Sequence, residues 1–573
     1  MSVITVNTRR TSASSILRRT SMKTKLLERE RPKVRFTFPH TKKVRHILQN
    51  FAAKQNIREY ENLVCLIRDS HLLDDDLSGL LTEATQCISL LNQDLRLFVE
   101  AILIVNWVSF SDNVISQYQS FIINLLSAHN YHAKFAIDTL IAHFLPDPEQ
   151  ADWADGVPPF DDLKKSVNVH CVINSLLSII PMCQDILLHS IVHHYPYFTK
   201  SSHTHEVYLH NLLCILDYRP QLQPDILHLI FSKLVLLDVN APKEEIERLE
   251  NEMEVDVFEV EDKFNCDTMK HPVAHILDIS LLKIFNHFLV LTQESGELNW
   301  EKAKKLYQDV LVVFDKVLLP TYNIHHVPFV MFFLCSLKPT ITEAFLNFLW
   351  RKVSNPNVAS IHRHTAVSYI ASLIARGSFV PLYMLKGTLQ QMSNWIHSYI
   401  VTQDELGCIN SDIRIHVVFY SVCQALFYMI AFRHKDLVRK KKDIVFLESL
   451  NLSKMVTCCL NPLRVCQPAI VQNFASVART YQLAYCYAVI EHNSRNVIPT
   501  IYQDEKGSVM VSNNTLDSFF PFDPYILKKS KEIIEPLYVY YHANSENSTE
   551  DYDMVEKDDF LAYGTSPGFK HRN

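Results

Sequence analysis

Three features of the sequence predict an all-α chain, built as a helical solenoid of stacked antiparallel helix pairs. Glycine is scarce, at 9 in 573 residues, against a typical share of about 7%. Apolar residues recur at the i, i+3, i+4, i+7 spacing of one helix face in segment after segment. These segments pair across short polar or proline breaks roughly every 35 to 45 residues, the period of HEAT and armadillo arrays. Such helix pairs cannot bury their faces alone and must stack on neighbours. A hydrophobic share of 48% and an aromatic share of 11% supply the core.

Residues 1–45 carry thirteen Lys or Arg against two Glu and no sustained apolar period. They are expected to form a disordered basic arm. Its Arg31-Pro32-Lys33-Val34-Arg35 patch suits nuclear import or nucleic-acid contact, and a plain solvated tail fits equally well. Within the arm, Ser21 follows Arg18-Arg19 as basophilic kinases prefer. No signal-peptide pattern is expected at the basic, Ser/Thr-rich start. The thirteen cysteines are scattered without a C-x-x-C pair, so a reducing compartment is expected.

Residues 46–238 form the first run of helical repeats. Phe121–Leu126 and Phe135–Phe144 read as a hairpin closed by Pro146, and Cys171–Ile180 with Ile186–His194 as another. Tyr208–Leu216 with Ile226–Leu237 makes a third. Between the first two pairs, Asp147 to Asp162 with Pro158-Pro159 reads as an acidic loop. Residues 239–270 then break the pattern: Glu244 to Asp262 holds ten acidic residues and one Arg in nineteen. A solvated acidic loop separating two solenoid halves is expected there, either as a linker or as a competitor for basic surfaces.

Residues 271–541 form the second run. Within it, Phe314 to Leu382 reads as four helical segments hinged at Pro320, Lys338-Pro339, Asn355-Pro356-Asn357 and Gly377. Thr340 with Glu343 suggests a capping box, followed by an apolar face of Ile341, Ala344, Phe345, Phe348 and Leu349. The next helix repeats the scheme with Val358, Ile361, Thr365, Tyr369, Ile370 and Leu373, and Gly377 is placed as its C-cap. The runs Val317–Leu337 and Ile415–Phe432 lack charged residues, but prolines and histidines break the first and the second is barely long enough to span. Both are read as buried helices, so no membrane contact is expected. Residues 542–573 read as an acidic disordered tail, with Ser548 and Ser566 as candidate phosphosites beside Ser21.

Little here calls for catalysis. The nine glycines never fall into a dinucleotide-binding or Walker spacing, which phosphate-cradling loops need. No G-x-S-x-G elbow appears. The best metal candidates, His193, His194, His203 and His205 with Glu206, straddle a turn containing Pro196 and lack a cysteine at ligand spacing. His325-His326 and His362 with His364 point to different helix faces. Cys458, Cys459 and Cys466 read as buried thiols. The expectation is a non-enzyme without metal or cofactor.

A series of ordered strings carries a resemblance. They are YLHNLLC (208–214), LLDVNA (236–241), HPVAHILD (271–278), FDKVLLPT (314–321) and AFLNFLWR (344–351). YIASLIARGSFVPL (369–382), FYSVCQALFYMIAFRHK (419–435), NPLRVCQP (461–468) and LDSFFPFDPYILKKSK (516–531) follow. In this order they closely resemble the RNA polymerase I-specific transcription initiation factor family, also called transcription initiation factor IA. The match is densest over 206–241 and 271–541, thinner before residue 200 and absent in both tails.

The resemblance implies a nuclear, nucleolar HEAT-repeat protein that binds RNA polymerase I, mainly through its stalk subunits. It would bridge the polymerase to promoter-bound core factor at ribosomal RNA genes, under control by phosphorylation, with weak DNA contact and a homodimer for the free protein. A serine-rich polymerase-facing patch on the N-terminal repeats would correspond to Ser109, Ser111, Ser116 and Ser120. Tyr369 to Ile400, through Arg376 and Lys386, is expected to meet core factor or promoter DNA. The competing reading is a HEAT-type nuclear transport receptor or scaffold, which would lack the FDKVLLPT and LDSFFPFDP strings.

Overall fold

The computed structural model describes residues 43–70, 72–146, 153, 156–252, 268–407 and 411–495. Beyond these it describes 501–503, 509–511, 515–516, 520–522 and 524–541. The fold is all-α, and the chain divides into two compact units. One comprises Met1–Asp147 with Pro158–Tyr195, the other Pro148–Val157 with Pro196–Asn573.

The first unit contains α1 (Val44–Ala52), α2 (Ile57–Asp69), α3 (Asp74–Gln86), α4 (Arg96–Leu103), α5 (Asp112–Ala128), α6 (Ala133–Ala142), α7 (Phe160–Ile179) and α8 (Cys183–His194). Each helix packs on the helix two places further on, so odd- and even-numbered helices form two layers. That is the solenoid arrangement expected when each pair needs a neighbour to bury its apolar stripe. Helix α7 begins at Phe160, so Asp161 and Asp162 sit in its first turn rather than in a loop. There they face the positive end of the helix dipole.

The second unit opens with α9 (Ser202–Tyr218), α10 (Gln223–Val239), α11 (Lys243–Glu252), α12 (Pro272–Thr292) and α13 (Trp300–Val313). Helix α9 packs on α12, and α10 on both α12 and α13. Helices from both sides of the acidic segment therefore share one core, and the division of the chain falls near Tyr195 rather than within 239–270. A two-residue hairpin, Gln293–Glu294 with Glu297–Leu298, joins α12 to α13. Its turn residues Ser295 and Gly296 both take positive φ, as a tight hairpin requires.

Next come α14 (Phe329–Leu337), α15 (Pro339–Ser354), α16 (Ser360–Arg376), α17 (Leu382–Glu405) and α18 (Ile413–Phe432). Before α14, Phe314–Leu318 forms a π-helical turn. The four-segment reading of this stretch holds in outline, with local corrections. Pro339 occupies the first helical position of α15 and Lys338 the N-cap, so Thr340 lies inside the first turn and no capping box forms. Ala344 and Ile361 are exposed; the buried face of α16 instead runs unbroken from Ala366 to Arg376. Gly377 does cap α16, but with φ −75°, not in the left-handed region. It is glycine because a Cβ there would lie 2.9 Å from both the Leu373 carbonyl oxygen and Val380 Cγ2.

Helix α18 is packed between α16, α17 and a later helix, Pro468–Thr480. Two helices, α12 and α18, are long and apolar enough to cross a membrane, and most of α18 is buried within the unit. Val317–Leu337 is not one helix; it is broken before Phe329.

Two buried carboxylates pin this unit. Asp238, at the end of α10, accepts from the backbone N–H groups of His326 and Val327 and bonds His326 Nδ1, each at 2.9 Å. Burial opposes the charge of Asp238, yet His326 and these bonds together hold its carboxyl below the usual carboxylate range. Asp278, on α12, accepts from Lys529 N at 2.9 Å, from Ser530 N at 2.8 Å and from the Ser530 hydroxyl.

The second carboxylate ties residues 520–541 to the core. Phe522 donates its N–H to Ser372 Oγ at 3.0 Å, and its ring meets Phe329, Phe332 and Tyr369. Tyr538 returns a hydroxyl bond to the Phe522 carbonyl at 3.0 Å.

Candidate interaction surface

No three His, Cys, Asp or Glu side chains converge for a metal among the described residues. His203 and His205 are buried, whereas His193 is exposed. His203 meets the Trp153 ring edge-on and His205 Nε2 bonds the Tyr197 carbonyl, so both are parts of a packed helix. Burial lowers the pKa of His205. Burial also pushes the Cys458 thiol up to about 11, and Cys466 is fully buried. Neither offers the thiolate that metal binding or nucleophilic attack requires near neutral pH.

The expected serine patch is a surface. Helix α5 buries Val114, Ile115, Tyr118, Phe121, Ile122 and Leu125, which turns Ser116 and Ser120 outward, one helical turn apart. Ser111 stands at the N-cap of α5 but makes no side-chain cap. Its backbone N–H donates instead to Asp74 Oδ2, at the start of α3, at 3.1 Å. Ser109 ends a 3₁₀ turn anchored by Trp107, which is buried and stacked on Tyr118 with centroids 4.8 Å apart. All four serines are exposed.

Neighbouring helices extend this face. Ser78 on α3 donates to Gln117 at 2.8 Å, and Gln119 donates to the Asn168 carbonyl of α7 at 3.1 Å. Asp112 pairs with Lys164 of α7 at 2.7 Å. Along α7, Phe160, Leu163, Val167 and Cys171 are all exposed, at i, i+3, i+7 and i+11. Phe160 is 79% exposed. Sequence reasoning missed this apolar line. Its spacing is that of a core stripe; the other face of α7, with Val169, Val172, Ile173 and Leu176, supplies the buried one. Two apolar faces on one helix were the available signal.

The second expected contact fares differently. The Arg376 side chain is 1% exposed, with its guanidinium 4.7 Å from the Phe432 ring and 5.3 Å from that of Tyr538. It is a core residue held by cation–π contact, and it cannot serve as a surface cation. Lys386 is half-buried, paired with Asp443 and 5.3 Å over the Phe446 ring. Ser21, Ser548 and Ser566 lie outside the described residues.

Comparison with known proteins completes the description. Residues 40–546 match the family model described as RNA polymerase I specific transcription initiation factor RRN3. The chain is 34% identical to the RNA polymerase I-specific transcription initiation factor RRN3 of Mus musculus, over 89% of this chain and 83% of that protein. It is 26% identical to the corresponding rrn3 factor of Schizosaccharomyces pombe, over 81% of this chain and 79% of that one. Among solved structures it is similar to a crystal structure of RNA polymerase I transcription initiation factor Rrn3, with TM-score 0.68 and 20% identity. That likeness covers 87% of this chain and 97% of the other.

Proposed function

The chain belongs to the RNA polymerase I-specific transcription initiation factor RRN3 family, and from that premise we propose that it docks RNA polymerase I on the outer face of α3, α5 and α7. The observation carrying this reading is the juxtaposition of four exposed serines with the apolar line of α7. A rim of small hydroxyls around exposed aromatic and aliphatic anchors is the composition of a reversible protein interface. The protein would work by surface, not by catalysis. It would engage the polymerase stalk, bring the enzyme to core factor at ribosomal RNA genes in the nucleolus, and then let go.

Phosphorylation fits this face as a control. One phosphate adds about −1.5 to −2 charges, beside Asp74 and Asp112, and would disrupt an apolar or acidic partner surface. For the core-factor contact, Lys386 remains on the rim of α17 beside the exposed Tyr383, while Arg376 drops out.

The test is capture of purified RNA polymerase I by the full-length protein and by its Ser109→Asp/Ser111→Asp variant. Binding is expected to weaken about tenfold, equivalent to roughly 1.4 kcal/mol. Unchanged capture by a variant of unchanged melting temperature would remove this face from the interface.

A further inference from the structure

Opposite in character to the serine face, the second unit holds a groove of about 320 Å³ between the end of α18 and the last described residues. Phe432, Arg433, Lys435 and Arg439 line one side, and Tyr540 and Tyr541 the other. Arg433 is committed internally, to Asp436 at 2.6 Å and to the Ile374 carbonyl at 3.0 Å. The rim is not. Lys435, Arg439, Lys440, Lys441 and Lys442 are all exposed, and the one carboxylate among them in sequence, Asp436, is shared between Arg433 and Arg439. A concave site with a single sign of charge on its rim focuses the field on an anionic ligand.

The chain leaves this groove at Tyr541 and enters its most acidic stretch. Residues 545–559 hold Glu546, Glu550, Asp551, Asp553, Glu556, Asp558 and Asp559 against Lys557 alone. Extended chain spans about 3.3–3.6 Å per residue, so Glu546 can reach roughly 17 Å from Tyr541 and the Glu550–Asp553 group about twice that. Either distance is ample to fold back over a rim beginning beside Tyr541. A short tether holds such a segment at an effective concentration of order millimolar. Few free acidic ligands would compete with it.

We propose that the acidic segment 545–559 of this chain occupies the Lys435–Lys442 groove in cis and shields it until a polyanionic or acidic partner displaces it. The other acidic segment, 253–267, is the weaker occupant. Its flanks are tied elsewhere, Glu250 to Lys270 and Lys528, and the Thr268 carbonyl to Lys528. The proposal does not depend on the polymerase-docking reading and can fail without it.

A fluorescein-labelled peptide of residues 545–559 tests it against three full-length proteins by anisotropy. These are the wild type, a tail-neutralised variant (Glu550→Gln, Asp551→Asn, Asp553→Asn, Glu556→Gln, Asp558→Asn, Asp559→Asn), and the same variant carrying Lys435→Glu, Arg439→Glu and Lys441→Glu. The neutralised protein should bind the peptide at least about tenfold more tightly than the wild type, with a steep loss in salt, and the rim reversal should abolish binding. Carbodiimide treatment of the wild type should couple Lys435, Lys440, Lys441 or Lys442 to tail carboxylates, a readout that needs no folded variant. Equal peptide binding by the wild type and the neutralised protein, or none by either, overturns the proposal. So does a single-stranded DNA of about 20 nucleotides that binds both equally, since the groove would then be an open nucleic-acid site.

Discussion

Phe160 on α7 and Phe522 in the C-terminal segment are the same residue put to opposite uses. Phe522 is fully buried, wedged among three aromatic rings with its backbone bonded to Ser372. Phe160 stands 79% exposed at the head of a line of exposed apolar residues. The serines divide the same way. Ser530 and Ser372 are buried and hydrogen-bonded, while Ser109, Ser111, Ser116 and Ser120 face solvent. Residue type does not separate scaffold from interface here; the presence of partners does.

The comparison breaks first at the two phenylalanines. Phe522→Ala should cost about 3–5 kcal/mol of the second unit's stability, as core aromatic truncations do. Phe160→Ala should stay within about 0.5 kcal/mol. Chemical denaturation of both variants measures the contrast, and equal losses would show that Phe160 is also structural.

The next effect is electrostatic. Asp238 is held below its ordinary pKa in the folded chain, so its contribution is complete above the unfolded value of about 3.9 and fades as pH falls below that. Asp238→Asn turns one accepting oxygen into a donor facing donors, and should cost about 2 kcal/mol at pH 7. The variant's stability should then fall less steeply than the wild type's on acidification from neutrality. An identical acid limb in both proteins would mean that other carboxylates govern it.

A smaller loss is expected at Gly377. Placing a Cβ at 2.9 Å from the Leu373 carbonyl oxygen should cost about 1–3 kcal/mol by overpacking, read as a lowered melting temperature. A Gly377→Ala protein as stable as the wild type would show that the chain after α16 shifts freely. The smallest effect on folding should come from Phe160→Ala/Leu163→Ala. Its consequence belongs to binding: polymerase capture about tenfold weaker or more at unchanged stability.

Fold class was readable because it rests on averages: scarce glycine and a 3.6-residue apolar period survive local irregularity. Single positions did not have that protection. The Thr340–Glu343 box failed because one proline set the helix start a residue earlier than the hydroxyl suggested. Arg376 was misread because its charge suggested solvent, while the rings that accept it, Phe432 and Tyr538, lie 56 and 162 residues away in sequence. The apolar line of α7 went unseen since periodicity marks a stripe without saying whether anything covers it. The serine face was found through family resemblance; the exposure of α5 shows why it could be a surface.

The bond between Asp278 and Ser530 joins residues 252 apart in sequence. A repeat array whose units touch only neighbours can settle as it is synthesised, but this clasp cannot. At about 5–20 residues per second, a ribosome needs roughly 13–50 seconds to travel from one partner to the other. Throughout that interval Phe329, Phe332 and Tyr369 await the ring of Phe522. The second unit therefore matures only near the end of translation, and its emerging half is where chaperones would be needed.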